Sequence, residues 1–225
     1  MGSLCYDYTR IVSFVAGVFE RNPILAVLMS MMRNLQHQTD EALMSEIALK
    51  NHRAFETLYA RYSKLVFSYF YRMLWKNREL ANDMTQELFT KVVVNAPSFN
   101  TARPFKTWMY SIAHNMCKNE YAKNEIRQKA QMNIDQIEKN QSPFHMDLGA
   151  FKQKLEGLLQ QLDEVKKETI ELRFFQELSV PEIATAMNCS EGTVKSRIFY
   201  TLKDLQKELV EFKDILGLII IFILS

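Results

Sequence analysis

A capped helix, a tight turn and a second helix form the pattern that most constrains this chain, and they occupy residues 179–205. Ser179 and Glu182 match the S-x-x-E capping box, with a proline in the first turn, where a missing N–H costs nothing. Ala184 is small enough to let a second helix cross closely, and Asn188 tolerates the left-handed conformation of a sharp turn. The segment therefore predicts a helix-turn-helix unit.

The second helix of this unit has an inward and an outward face. Val194, Ile198, Leu205 and either Thr201 or Leu202 recur at helical spacing, which predicts that they face the core. The outward face carries hydroxyl and cationic side chains, which reach phosphates and the base edges of DNA. Its members are Thr193, Lys195, Ser196, Arg197, Tyr200 and Lys203. This face fits the major groove, and the alternative is a helical hairpin with a solvated charged surface.

Helical periodicity extends over most of the remaining chain. Gly and Pro number only 6 and 5 among 225 residues, and no strong alternation of apolar and polar residues occurs, so an all-α fold is predicted. Residues 54–74 keep one apolar face, residues 79–94 form a helix with a mixed face, and a long aromatic and basic helix follows Pro104. Residues 124–150 are rich in Gln and Asn and lose the pattern, so we expect a linker there.

Charge and cysteine content narrow the possible functions. A net charge of +2 excludes a uniformly basic nucleic-acid coat, so any DNA binding must come from local clusters. Cys5, Cys117 and Cys189 lie too far apart in sequence for a zinc ribbon or a disulfide framework, and they fit a reducing cytoplasm. His114 and Cys117 share a helix face, but this pair alone does not complete a zinc site. Neither a metal nor another cofactor is predicted.

Both ends of the chain are apolar. Residues 11–19 and 24–32 form two apolar runs with a charged break between them, and residues 215–225 form a third. Each run is shorter than the roughly 20 apolar residues that a membrane-spanning helix needs. We expect either an added N-terminal helix or a translation start at Met31 or Met32. The C-terminal run is expected to pack on the last helix, dock a partner or touch a membrane surface.

Two parts of the sequence together resemble the bacterial sigma-70 family, especially its compact extracytoplasmic-function (ECF) type. Residues 178–205 are similar to region 4 of these sigma factors. Residues 54–74 resemble region 2.1, residues 78–93 resemble region 2.2, and residues 105–123 resemble regions 2.3 and 2.4. The order and spacing of the regions agree with the family over most of the chain.

The resemblance implies two small helical domains joined by a flexible linker. The expected segments are an apolar N-terminal extension at 1–33, a region 2 bundle at 34–123, a linker at 124–150, a region 4 helix-turn-helix domain at 151–211 and an apolar tail at 212–225. Asn188 departs from the family, because a Gly is common at this position of the turn. The apolar tail is also unusual, and the family assigns no role to it.

The resemblance also implies roles for particular residues. The outward face at residues 193–200 should read the −35 promoter element. The helix similar to region 2.2 should dock on the clamp of core RNA polymerase through Asp83, Gln86, Glu87 and Phe89. The aromatic and basic helix should melt and hold the −10 strand, since stacking and cationic phosphate contacts bind single strands. The candidates for this role are Asn100, Arg103, Lys106, Trp108, Tyr110, Asn115 and Lys118.

The implied function is a promoter-specificity subunit of RNA polymerase without catalytic activity of its own. Its expected partners are core RNA polymerase, promoter DNA and an anti-sigma factor, with no small-molecule substrate. The expected location is the cytoplasm, where an anti-sigma factor can also hold such a protein near the membrane. A stand-alone helix-turn-helix regulator is the main alternative, followed by a DNA-processing enzyme and a membrane-anchored regulator.

Overall fold

The computed structural model describes residue 35 and residues 37–130 and 148–212. Every regular element in this part of the chain is helical, so the predicted all-α fold is confirmed. The α-helices are α1 (Asp40–Ala48), α2 (His52–Met73), α3 (Arg78–Asn95), α4 (Phe105–Ala130), α5 (Leu148–Gln161), α6 (Glu164–Ile170), α7 (Val180–Ala186) and α8 (Glu191–Glu208). Short 3₁₀ helices at Ala96–Ser98 and Val210–Phe212 and a π-turn at Glu171–Phe175 complete the described elements.

Side-chain caps explain where several of these helices begin. The Thr39 hydroxyl accepts a hydrogen bond from the Ala42 N–H at 3.2 Å at the start of α1. The Asn77 side-chain oxygen accepts one from the Leu80 N–H at 3.0 Å at the start of α3. Each such cap satisfies a backbone donor that the helix itself leaves unpaired and is worth about 1 kcal/mol.

The first compact unit comprises the described residues up to Tyr62 together with Val93–Pro104. Leu43 of α1 is fully buried, and α1 packs on the 3₁₀ helix that follows α3. Asp40 pairs with Arg61 at 2.5 Å and accepts a hydrogen bond from the Tyr62 hydroxyl. These two contacts hold the start of α1 to α2.

The second compact unit comprises Ser63–Val92 and the described residues from Phe105 onward. Its core contains fully buried aromatic and aliphatic side chains, among them Tyr69, Tyr110 and Leu172. Helix α4 packs on α7, and α8 packs on α6 and α7. The long helix α4 and the helix-turn-helix unit therefore belong to one compact body.

The predicted linker at 124–150 overlaps a helix at each end. Helix α4 continues to Ala130, because residues 124–130 include several good helix formers, and α5 begins at Leu148. The predicted extension at 1–33 and the apolar tail beyond Phe212 lie outside the described residues. Within the part of the chain that the structure describes, no helix is long and apolar enough to span a membrane.

Candidate nucleic-acid interface

Local capping positions the helix-turn-helix unit as the sequence predicts. The Glu182 carboxylate accepts hydrogen bonds from the Ser179 N–H at 2.8 Å and from its hydroxyl at 2.5 Å, which closes the start of α7. Asn188 adopts a left-handed conformation with φ of 49° in the turn. The Ser190 hydroxyl then accepts a hydrogen bond from the Thr193 N–H at 3.1 Å and begins α8. The predicted capping box, turn residue and second cap are confirmed.

The inward face of α8 is also largely as predicted. Val194 and Thr201 are fully buried, Leu205 is buried and Ile198 is half-buried. Of the two residues that the sequence left open, Thr201 faces the core, whereas Leu202 is 42% exposed. Because Thr201 faces the core, the opposite side of α8, which carries Lys195, Ser196 and Tyr200, faces solvent as predicted.

Four of the five residues predicted to read the −35 element line one shallow depression at the start of α8. They are Thr193, Ser196, Arg197 and Tyr200, and Lys166, Ser190 and Gly192 complete the lining. Arg197 approaches the Cys189 sulfur at 3.7 Å from one guanidinium nitrogen. The fifth residue, Lys195, is exposed and pairs with Glu191 at 3.6 Å on the helix surface.

Lys166 is a functional candidate that the sequence did not reveal. It lies on α6, well before the helix-turn-helix segment, and only the packing of α6 on α8 brings it to this depression. Its ammonium group lies 3.4 Å from Asp163, and its side chain is 40% exposed. The sole signal in the sequence is the basic pair at 166–167, which no periodicity argument connects to α8. Together with Arg197 and the positive end of the α8 dipole, Lys166 makes this depression suited to phosphate.

The candidates on α4 divide into exposed and buried residues. Asn115 and Lys118 are exposed, and Lys106 and Trp108 are half-buried. Tyr110 is fully buried, and its hydroxyl donates a hydrogen bond to the Gln176 side chain. Packing against the π-turn therefore covers Tyr110, and its role at the −10 strand stays a prediction.

The other two −10 candidates lie in the first compact unit, in the turn before α4. Asn100 and Arg103 are both exposed. The Asn100 side-chain oxygen accepts a hydrogen bond from the Ala102 N–H at 2.9 Å, and its carbonyl accepts one from the Arg103 N–H at 3.0 Å. These bonds fix the turn and leave the Arg103 side chain at the surface.

The candidates for polymerase docking on α3 are exposed with one exception. Asp83, Gln86 and Glu87 are exposed, and Glu87 pairs with Lys91 at 3.1 Å on the same helix. Phe89 is only 2% exposed and belongs to the core. Its position on α3 points it inward with the apolar residues, so it is not on the exposed acidic face, and its role in docking stays a prediction.

The His114 and Cys117 side chains, which share a helix face but do not complete a zinc site, lie in other surroundings. His114 contacts the Glu168 carboxylate through Nδ1 at 2.9 Å. The Cys117 thiol is buried, and desolvation, followed by the nearby Glu168, raises its pKa. Among the described residues no group of three or more His, Cys, Asp or Glu is arranged to hold a metal.

Two family profiles match this architecture. The profile described as Sigma-70 region 2 matches residues 58–126, and the profile described as Sigma-70, region 4 matches residues 152–205. The first match contains α3 and most of α4, and the second contains the helix-turn-helix unit. These two matches define the class as a sigma factor of the sigma-70 type.

Individual relatives narrow the class. The RNA polymerase sigma-H factor of Pseudomonas aeruginosa is 29% identical over 189 residues, which cover 78% of this chain and 96% of that protein. The ECF RNA polymerase sigma-E factor of Escherichia coli K12 is 31% identical over 173 residues, which cover 72% of this chain and 89% of that protein. The chain therefore belongs to the ECF sigma factors, and the predicted family and function as an RNA polymerase sigma factor are confirmed. Sigma factors as a class are not enzymes.

Solved structures share the fold. CnrH in complex with the cytosolic domain of CnrY superposes with a TM-score of 0.56 at 22% identity, covering 79% of this chain and 98% of that chain. The sigma factor RpoE in complex with the anti-sigma factor NepR from Bartonella quintana superposes with a TM-score of 0.55 at 21% identity, covering 69% and 96%. These likenesses support the helical architecture described above.

Proposed function

We propose that three helices of this sigma factor bind three different targets. Helix α8 reads the −35 duplex, α4 holds the −10 strand, and α3 docks on core RNA polymerase. The observation that carries the proposal is the depression at the start of α8, where Thr193, Ser196, Arg197 and Tyr200 lie together with Lys166. Side chains of these types supply both base-edge and phosphate contacts.

The −35 assignment follows from the two kinds of group in that depression. Arg197 is the strongest candidate for a base contact, because a guanidinium donates two parallel hydrogen bonds to a guanine edge. Ser196 and Thr193 are short hydroxyl residues suited to phosphate or base edges. Lys166 in the depression, and Lys195 on the exposed surface of α8 outside it, carry charge that binds phosphate whatever the base sequence.

The −10 assignment rests on α4 and the turn before it. Asn115 and Lys118 are exposed, and Trp108 is half-buried with its ring 6.0 Å from that of Phe105. A half-buried aromatic ring and a cation on the same helix suit a single strand, which is bound by stacking and phosphate contacts. Arg103, exposed in the turn, adds a cation of the same kind.

The remaining elements of the proposal follow from the work of a sigma factor. The chain has no catalytic activity of its own, and it acts where core RNA polymerase and promoter DNA are found, in the cytoplasm. An anti-sigma factor is the proposed regulatory partner. The support for this partner is that the RpoE structure of similar fold contains the anti-sigma factor NepR.

Charge reversal on α3 tests the docking assignment. Asp83→Lys combined with Glu87→Lys replaces two exposed acidic groups of one helix face, and we expect the complex with core RNA polymerase to weaken by about tenfold or more. Glu56→Lys, an equally exposed reversal on α2, is the matched control and should bind normally. The measurement is a titration of purified core enzyme with labelled full-length chain. Unchanged affinity in the double variant would remove α3 from the interface.

A further inference from the structure

An exposed apolar stripe runs along one side of α8 and continues past its end. Its members Phe199, Leu202 and Val210 are 61%, 42% and 51% exposed. Phe199 and Leu202 lie three residues apart and therefore share a helix face, and the uncharged, exposed Gln206 continues that face by one turn. Val210 follows in the 3₁₀ helix beyond α8. Large apolar side chains gathered at a surface in this way mark an interaction site.

The apolar stripe does not coincide with the proposed −35 face. Residues of that face recur at positions 193, 197 and 200, whereas the stripe follows positions 199, 202 and 206, so the two sets lie on different sides of α8. Phe199 borders the −35 face, because its ring centre lies 5.3 Å from that of Tyr200 in an edge-to-face arrangement. A segment bound along the stripe would therefore lie beside the depression and leave it open.

The sequence that follows α8 supplies a segment of matching chemistry. Residues 215–224 contain no charged side chain, and nine of these ten residues are Ile, Leu or Phe. Lys213 and Asp214 join this segment to Phe212. Removing apolar side chains from water is favourable roughly in proportion to the area buried. The segment therefore gains most from a nearby surface that is itself apolar and exposed.

The described part of the chain ends beside the apolar stripe. Leu209 is 2% exposed, and the centre of the Phe212 ring lies 5.5 Å from that of Phe151 on α5, which holds this end against the second compact unit. At a rise of about 1.5 Å per residue, the stripe from Phe199 to Val210 is about 17 Å long. Ten residues span about 15 Å as a helix and about 33 Å when extended, so residues 215–224 can reach along the stripe after one reversal of the chain.

The other apolar runs of the chain, at 11–19 and 24–32, connect to a different part of the molecule. They lead into Leu35, whose carbonyl accepts a hydrogen bond from Arg61 at 3.5 Å within the first compact unit. Residues 215–224 are instead tethered to the unit that carries the stripe. A tether of two residues makes their binding intramolecular, with an effective concentration on the order of millimolar that a second copy of the chain does not have.

We propose that the apolar stripe of α8 is the docking surface for residues 215–224 of the same chain. The docked segment buries Phe199, Leu202 and Val210, which the described helices leave in solvent. The depression that carries the proposed −35 contacts stays open when the segment is docked. The proposed function gives no role to the apolar stripe, so the docking stands independently of it.

Photo-crosslinking in the full-length chain tests the docking directly. The photoreactive amino acid p-benzoylphenylalanine replaces Phe199, and the irradiated chain is digested with trypsin, which cuts after lysine and arginine. Docking predicts a crosslink within one chain between the peptide 198–203 and the peptide that begins at Asp214. The same label in place of Ile126, which is 69% exposed on α4 in the same compact unit, is the matched control and should not crosslink to the Asp214 peptide.

A polar substitution on the stripe measures the strength of the docking. Leu202→Gln should lower the yield of this crosslink by about threefold or more, because a side-chain amide is costly to bury without hydrogen-bond partners. Ile126→Gln should leave the yield unchanged, and both variants should bind a −35 duplex as the wild type does. The double variant I219Q/I223Q changes only the docked segment and should lower the yield in the same direction, whatever the effect of Leu202→Gln on folding.

Three outcomes would overturn the docking. The first is the absence of an intrachain crosslink from position 199 to the Asp214 peptide, or a yield that I219Q/I223Q does not lower. The second is a crosslink that joins two chains on a denaturing gel, which would make a second copy the occupant. The third is flotation of the wild-type chain with vesicles of phosphatidylcholine and phosphatidylglycerol together with loss of the intrachain crosslink, which would place the segment at a membrane. Failure of promoter-directed transcription would contradict the proposed function and leave the crosslink unaffected.

Discussion

The outward face of α8 and the inner face of α4 both belong to the predicted DNA interface, but the structure presents them differently. Four predicted residues of α8 line an open depression, whereas Tyr110 of α4 is fully buried beneath the π-turn. The proposed −35 face is therefore accessible in the free chain, whereas Tyr110 is not, although Asn115 and Lys118 on the same helix are exposed.

The difference has a physical cause. The outward direction of α8 is set by its own caps and by the burial of Val194 and Thr201, all within a short segment. The burial of Tyr110 on α4 depends on Gln176, and the neighbouring Arg72 on α2 pairs with Glu171. Both partners lie more than sixty residues further along the chain. Contacts within a short segment therefore determine which side of α8 is exposed, whereas polar contacts between distant residues determine the burial of Tyr110 on α4.

The largest expected effect comes from the open face. Arg197→Ala should lower binding of a −35 duplex by the free chain, and −35-dependent transcription, by about tenfold or more, because it removes the best candidate for a base contact. Lys207→Ala is the control, since Lys207 lies near the end of α8 and pairs with Asp204 at 3.7 Å. Normal promoter use by Arg197→Ala would remove this residue from the interface.

A smaller effect separates affinity from specificity on the same face. Lys166→Ala should weaken binding equally to a −35 duplex and to a scrambled one, and should lower the slope of log affinity against log salt by about one. Lys152 is an exposed lysine on α5, and Lys152→Ala should leave the slope of log affinity against log salt unchanged for either duplex. Selective loss of binding to the −35 sequence would show that Lys166 contacts a base rather than phosphate.

The smallest expected effect concerns Glu182, which closes the cap of α7 and also contacts α4. Partial burial raises its pKa, but hydrogen bonds from Ser179 and Thr107 and the charge of Lys106 outweigh this and hold the pKa below its ordinary value of 4.5. A carboxylate with a lowered folded-state pKa stabilises the fold above its unfolded pKa, and this contribution is lost as pH falls through the folded value.

Urea unfolding of wild type and Glu182→Gln measures this contribution. The free energy of unfolding should be higher for wild type at neutral pH, and the difference should shrink as pH falls below 4.5. Glu208→Gln, an exposed change near the end of α8, should show no such dependence. A difference between wild type and Glu182→Gln that is constant with pH would mean that the carboxylate charge does not stabilise this contact.

Much of the fold was predictable because its signals are local. The capping box at Ser179, the left-handed Asn188 and the helical spacing in α2 and α8 all concern residues within a few turns of one another. Helix α4 continues to Ala130 inside the predicted linker, because residues 124–130 are polar yet include good helix formers, so the change in composition does not coincide with the end of the helix.

Several site residues depended on packing that the sequence does not display. Phe89 lies two residues after Glu87 and three before the buried Val92, so helical spacing already places it on the apolar side of α3, where it is 2% exposed. Lys166 reaches the depression at the start of α8 because α6 packs on α8. Tyr110 is covered by a partner distant in sequence. The last two cases need knowledge of contacts between helices.

Promoter-directed transcription is the most direct test of the central claim. Purified full-length chain and core RNA polymerase are incubated with a library of promoters, and the initiation sites are mapped. The account predicts core-dependent initiation at promoters that share one −35 and −10 pair at fixed spacing, with loss of the −35 preference in Arg197→Ala. Binding of duplex DNA by the chain with no association with core enzyme, and no initiation above that of core alone, would contradict it.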